Sequence, residues 1–135
     1  MSKYPTPGQI QTLLAGPPDQ PVVMLNLMRF KERADAPDEG LSGKQAYRRY
    51  AEEMKMFVES HGGRFLWGGR VDSLVIGETG ERFDYVGLVQ YPSRQKFVEI
   101  AMDPHVTAIG IHREAGLEMQ WLIATTEEEL VAKTT

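Results

Sequence analysis

The run Val22-Val23-Met24-Leu25-Asn26-Leu27-Met28 constrains this chain more than any other stretch, because it is apolar at both parities of a strand. Extended from Val22 to about Phe30, it places Val22, Met24, Asn26, Met28 and Phe30 on one face. Val23, Leu25, Leu27 and Arg29 fall on the other. Such a strand belongs in the middle of a sheet, with both of its faces covered. Asn26 interrupts it. An unpaired carboxamide buried there costs roughly 1–3 kcal/mol, so it needs a partner, which is either another protein group or a ligand.

The segments around that strand have recognisable boundaries. Thr6-Pro7-Gly8-Gln9 has the form of a capped helix start, and Gly16-Pro17-Pro18 stops the short helix it opens. Lys31 to Gly43 is polar and aperiodic, long enough for a lid, though a mobile surface insertion is the simpler reading. Ser42-Gly43-Lys44-Gln45 is a second capping box. Its helix carries Tyr47, Tyr50, Met54, Phe57 and Val58 on one stripe, with Arg48/Glu52, Arg49/Glu53 and Lys55/Glu59 as outward pairs. His61-Gly62-Gly63 ends it. Two strands are predicted at 64–76 and 83–91 around a hairpin loop at 77–81, with Gly68-Gly69 marking a bulge or a close approach to the backbone. A helix follows Pro92-Ser93, another follows Asp103-Pro104 and runs to Gly116, and Leu117 to Ala124 alternates as a last strand. The tail 126–135 reads as an acidic, frayed helical turn.

Beyond the N-terminal helix the order is strand, helix, strand, strand, helix, strand. That is an α+β, ferredoxin-like βαββαβ arrangement with helices on one face of the sheet. One domain is expected over 1–135: an extension at 1–20, a core at 21–125 and the tail. The bare face would be unusually greasy, with Trp67 and Trp121 adding to the first strand, so a homodimer joined through its sheet faces is expected. A net charge of -4 at pH 7 opposes binding to nucleic acid or anionic lipid. The absence of cysteine excludes disulfides, thiolate nucleophiles and cysteine-bearing zinc sites. No signal-like or membrane-spanning stretch occurs, and the cytoplasm is the expected location.

Gly62-Gly63-Arg64-Phe65-Leu66-Trp67-Gly68-Gly69, Phe83-Asp84, Tyr91-Pro92-Ser93, Asp103-Pro104-His105 and His112-Arg113-Glu114-Ala115-Gly116-Leu117, together with Tyr47 and Tyr50, resemble an uncharacterised bacterial family. It is a domain-of-unknown-function family within the dimeric α+β barrel superfamily of ferredoxin-like proteins. The resemblance spans roughly Pro21 to Thr125. It implies a dimer and a cleft between sheet and helices. Relatives in that superfamily include small monooxygenases, muconolactone-type isomerases, haem-degrading enzymes and non-catalytic binders, so fold alone does not assign chemistry. The chain departs from the family pattern at Trp67 and in its longer N-terminal helix and Lys31–Gly43 loop.

Asn26 and His112 are the candidate catalytic residues. An amide can orient a carbonyl, dioxygen or water, and a neutral imidazole can act as a general base near pH 7. Arg113 is a candidate for holding a carboxylate, although a cation at a helix C-terminus also complements the dipole. Trp67 is a candidate stacking surface, and Tyr47 and Tyr50 can lend hydroxyls, while all three residues also suit packing. Arg64 and Arg70 share a parity and read as a solvated edge. His105 and His112 lie about 10.5 Å apart along a straight helix, too far for one metal, so no metal site is expected. Without a phosphate-binding loop or nucleophile elbow, no nucleotide cofactor is expected either. The readings in play are a small-molecule enzyme of the cofactor-free monooxygenase or isomerase kind, acting on a small acidic or aromatic substrate, and a non-catalytic metabolite-binding or structural homodimer. Haem degradation and RNA binding are weaker.

Overall fold

The computed structural model describes residues 3–78 and 82–132. In chain order these form α1 (Pro7–Leu14), β1 (Val22–Phe30), α2 (Gly43–Ser60), β2 (Arg64–Arg70), β3 (Tyr85–Tyr91), α3 (Arg94–Ala101), α4 (Pro104–Gly116) and β4 (Leu117–Thr125). Both capping boxes are present: Thr6 with Gln9 opens α1, and Ser42 with Gln45 opens α2. Gly62 takes a positive φ of 90° just after α2, as a left-handed helix stop requires.

The four strands are ordered β2-β3-β1-β4, and every pairing is antiparallel. β1 is central, as its two-sided apolarity demands. Val22, Met24, Val89 and Tyr91 on one side of the sheet pack with Met54, Val58, Ile100 and Val106 from the helices to make the core. α2 packs along α4, and α1 along α3. Where α2 begins and α4 ends, the two backbones touch. A Cβ on Gly43 would stand 2.1 Å from the Lys31 carbonyl oxygen, and one on Gly116 would stand 2.2 Å from that of Gly43. Only glycine fits either position.

The opposite face of the sheet has no helical cover. Across it the register aligns Trp67, Leu88, Leu25 and Ile123 in one row, and Gly69, Val86, Leu27 and Trp121 in the next. Trp67 is 59%, Trp121 48% and Ile123 42% exposed. Together these rows make a continuous apolar surface of the kind that monomers rarely present to water.

Several expectations need correction. β2 stops at Arg70 instead of Ile76, and β3 starts at Tyr85 instead of Phe83. Leu74, Val75 and Ile76 leave the sheet and are exposed. Apolar residues without a cross-strand partner do not sustain a strand. The hairpin expected at 77–81 lies partly outside the described residues. In β4 the parity is broken by a register shift: Leu117 pairs with Phe30, but Met119 pairs with Arg29, so Leu117 does not share a face with Trp121. Thr126 to Ala132 form no helix, and the rest of the tail lies outside the described residues.

The loop between β1 and α2 is tied down, unlike a mobile insertion. Ala34 donates to the Leu41 carbonyl, Asp35 to that of Ala115 and Leu41 to that of Asp38. Asp38 is buried, and its carboxylate takes Arg49 Nη1 at 3.0 Å on one oxygen and His112 Nδ1 at 2.7 Å on the other. Arg49 therefore faces Asp38, where an outward pairing with Glu53 was expected.

Candidate functional site

On the helix-facing side of the sheet, the row through Asn26 runs Gly68, Gly87, Asn26, Leu122. Two adjacent strands thus contribute no side chain beside the carboxamide. A Cβ on Gly87 would meet nothing nearer than 3.8 Å, so the floor is open there. Above it a cleft opens between sheet and helices, part of a broad hollow of about 2170 Å³ whose lining extends to Trp67, Trp121 and Ile123. One wall is a file of rings. Tyr85 contacts Phe30 at 6.4 Å between centroids, Phe30 contacts Tyr47 at 5.3 Å, and Tyr47 contacts Tyr50 at 5.4 Å. All four line the cleft.

Facing these rings is a polar relay. Arg113 Nη2 donates to Gln120 Oε1 at 2.7 Å, and Gln120 Nε2 donates to Asn26 Oδ1 at 2.8 Å. The Asn26 amide nitrogen has only longer contacts, to the Met24 carbonyl at 3.2 Å and the Gly87 carbonyl at 3.4 Å. The partner demanded by Asn26 is therefore Gln120, a residue sequence reading did not single out. Its position opposite Met28 in the β1–β4 register put it within reach, but that register is invisible without the fold. The N-terminal segment closes one end: Arg113 also donates to the Lys3 carbonyl and sits 5.1 Å from the Tyr4 ring centroid. Tyr4 in turn donates to Glu114 at 2.7 Å.

The electrostatics favour neutral phenols beside a fixed cation. Burial pushes the Tyr47 phenol well above its ordinary range, with Tyr50 adding and Arg113 opposing. Burial likewise raises Tyr50, again against Arg113. The hydrogen bond from Tyr4 holds the Glu114 carboxyl below its usual range, with Lys3 and Arg113 helping against burial. At neutral pH the site offers a guanidinium, two amides and phenol hydroxyls around an apolar slot, a set suited to a planar, oxygen-bearing anion.

Asn26, Arg113, Tyr47 and Tyr50 thus converge on one cleft. His112 does not join them. Its Nδ1 is bound to Asp38, and it lines a separate hollow on the outer side of α2 and α4 with Arg49, Glu52, Glu53, His105 and Ile109. Trp67 is placed by its register with Leu88, and a Cβ on Gly69 would stand 2.4 Å from its ring, so the indole lies on the other face of the sheet from Asn26, although Trp67 is among the residues that bound the hollow. His105 receives the cap of Asp103 on its backbone and lies 3.9 Å from Glu53, at the surface. Arg64 and Arg70 are exposed. Among the described residues no group of three or more metal-ligating side chains assembles, and no helix is long and apolar enough to cross a membrane.

An antiparallel sheet in this order, helices on one face and a cleft between, defines a ferredoxin-like α+β protein. Residues 41–126 match the family described as Domain of unknown function (DUF1330), and the chain belongs to that family. A protein of unknown function from Rhodopseudomonas palustris is 33% identical, with a TM-score of 0.83 over 93% of this chain and 96% of that one. SnoaB, a cofactor-independent oxygenase from Streptomyces nogalater, is 10% identical at a TM-score of 0.56, covering 84% and 99% of the two chains. A dabb family protein with a ferredoxin-like fold from Mesorhizobium loti is 12% identical at 0.53, covering 81% and 98%. The last two share the fold alone. No match was found among curated proteins.

Proposed function

We propose that this chain is a homodimer, joined through its open sheet faces, that binds a small planar acid bearing ring oxygens in the cleft above Asn26. The observation that carries this reading is the relay Arg113–Gln120–Asn26 set against the rings of Tyr47 and Tyr50 over a floor left open at Gly87, with the Tyr85 ring lying over Gly68. In it Arg113 takes the carboxylate, the rings stack on the ligand plane, and the two amides hold an oxygen substituent.

A second reading adds turnover of the cofactor-free oxygenase or isomerase kind, favoured by one observation. The Asn26 amide protons make only long backbone contacts, which leaves a donor for an enolate oxygen of the bound acid, and preorganised donors of that kind stabilise a transition state. His112 has no part in either reading, because it lies outside the cleft.

The test uses 3-hydroxy-2-naphthoate, a fluorescent planar acid. Saturable binding is expected, weakened about tenfold or more in Arg113→Ala, the usual scale for losing a hydrogen bond to a charged group. His112→Ala should leave the affinity within about twofold. Absence of saturable binding, or equal binding by Arg113→Ala, overturns the reading.

A further inference from the structure

Two charged side chains are buried among the described residues, Asp38 and Arg94, at 2% and 8% exposure. Their situations differ. Both carboxylate oxygens of Asp38 are occupied by cationic or ionisable donors, Arg49 and His112. Among the described residues the Arg94 guanidinium has one hydrogen bond, from Nη2 to Thr126 Oγ1 at 3.0 Å, and its Nη1 is buried with no partner. A desolvated guanidinium without a counter-charge among the described residues is costly, and its fork geometry matches a carboxylate or phosphate.

The surroundings are shaped around this group. A Cβ on Gly16, just past α1, would stand 2.2 Å from Arg94 Nε and 2.8 Å from Cζ, so the chain gives up a side chain to seat the guanidinium. Arg94 is the first residue of α3, and Ser93 Oγ already caps Lys96, so the positive pole of the helix adds the same sign at this place. Arg94 also lines the cleft, but at its α1–α3 end. There β3 finishes with Tyr91 opposite Val22, whereas Arg113 is bound to Gln120 opposite Met28. Six residues of strand separate these ends, roughly 20 Å, so one compact acid cannot occupy both.

We propose that Arg94 anchors an oxyanion site at the α1–α3 end of the cleft, which takes the carboxylate or phosphate group of a small molecule through its guanidinium. This site does not depend on the reading of Asn26 and Arg113. The experiment follows the Arg94 Nε–Hε resonance of uniformly ¹⁵N-labelled full-length protein while sodium phosphate or sodium acetate replaces sodium chloride at constant ionic strength. A saturable shift with one or both anions is expected, and which of them acts separates a phosphate from a carboxylate ligand. The same anions should raise the Tm of the wild type and not that of Arg94→Gln. If that variant does not fold, the wild-type titration decides alone. A resonance unmoved by either anion overturns the proposal. So does a resonance that moves, without added anion, when Glu127→Gln, Glu128→Gln and Glu129→Gln are combined, because the counter-charge would then come from the chain itself.

Discussion

Asn26 accepts a 2.8 Å hydrogen bond from Gln120, while its own amide protons find only long backbone contacts. Asn26→Ala would leave Gln120 Nε2 without this acceptor on a half-buried surface, and we expect a loss of about 1–2 kcal/mol, read as a lower urea midpoint. The phenols give a second prediction. Burial raises the folded-state values of Tyr47 and Tyr91 far above the ordinary 10.0. Their protonated forms therefore support folding fully below the unfolded value, and that support is lost as pH rises past it. Absorbance at 295 nm near pH 11 should accordingly show fewer tyrosinates in the native protein than in urea, with all five tyrosines of the chain titrating once unfolded. At this scale the residue types were legible: Asn26 by its contrast with apolar neighbours, Tyr47 and Tyr50 by their helical stripe, and Arg113 by its place at the end of the helix that leads into the last strand. Partners were not: Gln120 satisfies Asn26, and Asp38 claims His112, through contacts between segments 94 and 74 residues apart.

At the scale of elements, caps and periodicity fixed most of the helices, because these are local signals that a short window contains. The strand ends and the loop after β1 were less legible, since they depend on pairing and on one buried carboxylate. Asp38→Ala should free that loop. With Arg49 and His112 partly exposed and able to rehydrate, the cost is expected at about 1–3 kcal/mol, accompanied by faster hydrogen exchange at the Ala34 and Leu41 amides, which close the turn. The contact between the start of α2 and the end of α4 is less forgiving. Gly116→Ala drives a methyl group to 2.2 Å from the Gly43 carbonyl oxygen and 2.9 Å from the Tyr47 nitrogen. Backbone must move, so about 3 kcal/mol of destabilisation is expected in chemical denaturation.

For the whole molecule, the central prediction is the dimer. The rows Trp67–Leu88–Leu25–Ile123 and Val86–Leu27–Trp121 form the surface that a second copy would cover. Leu25→Asp places a charge in the middle of it. Sedimentation velocity at micromolar concentration should give a dimer for the wild type and a monomer for the variant; a wild-type monomer would remove the assembly from the account. This surface was foreseeable because β1 is greasy at every second position on both sides, whereas the cleft's glycine floor depends on a β2–β3 register no local pattern encodes. The same two-sidedness has a price in fidelity. Were β1 to slip by a single position against its neighbours, its sides would swap: the carboxamide would land in the seam between subunits and a leucine would plug the hollow. In the proposed assembly a single slip would thus spoil the subunit contact and the ligand site together, and the irregularity where Arg29 and Phe30 meet β4 marks the one place where that β1–β4 register already shifts.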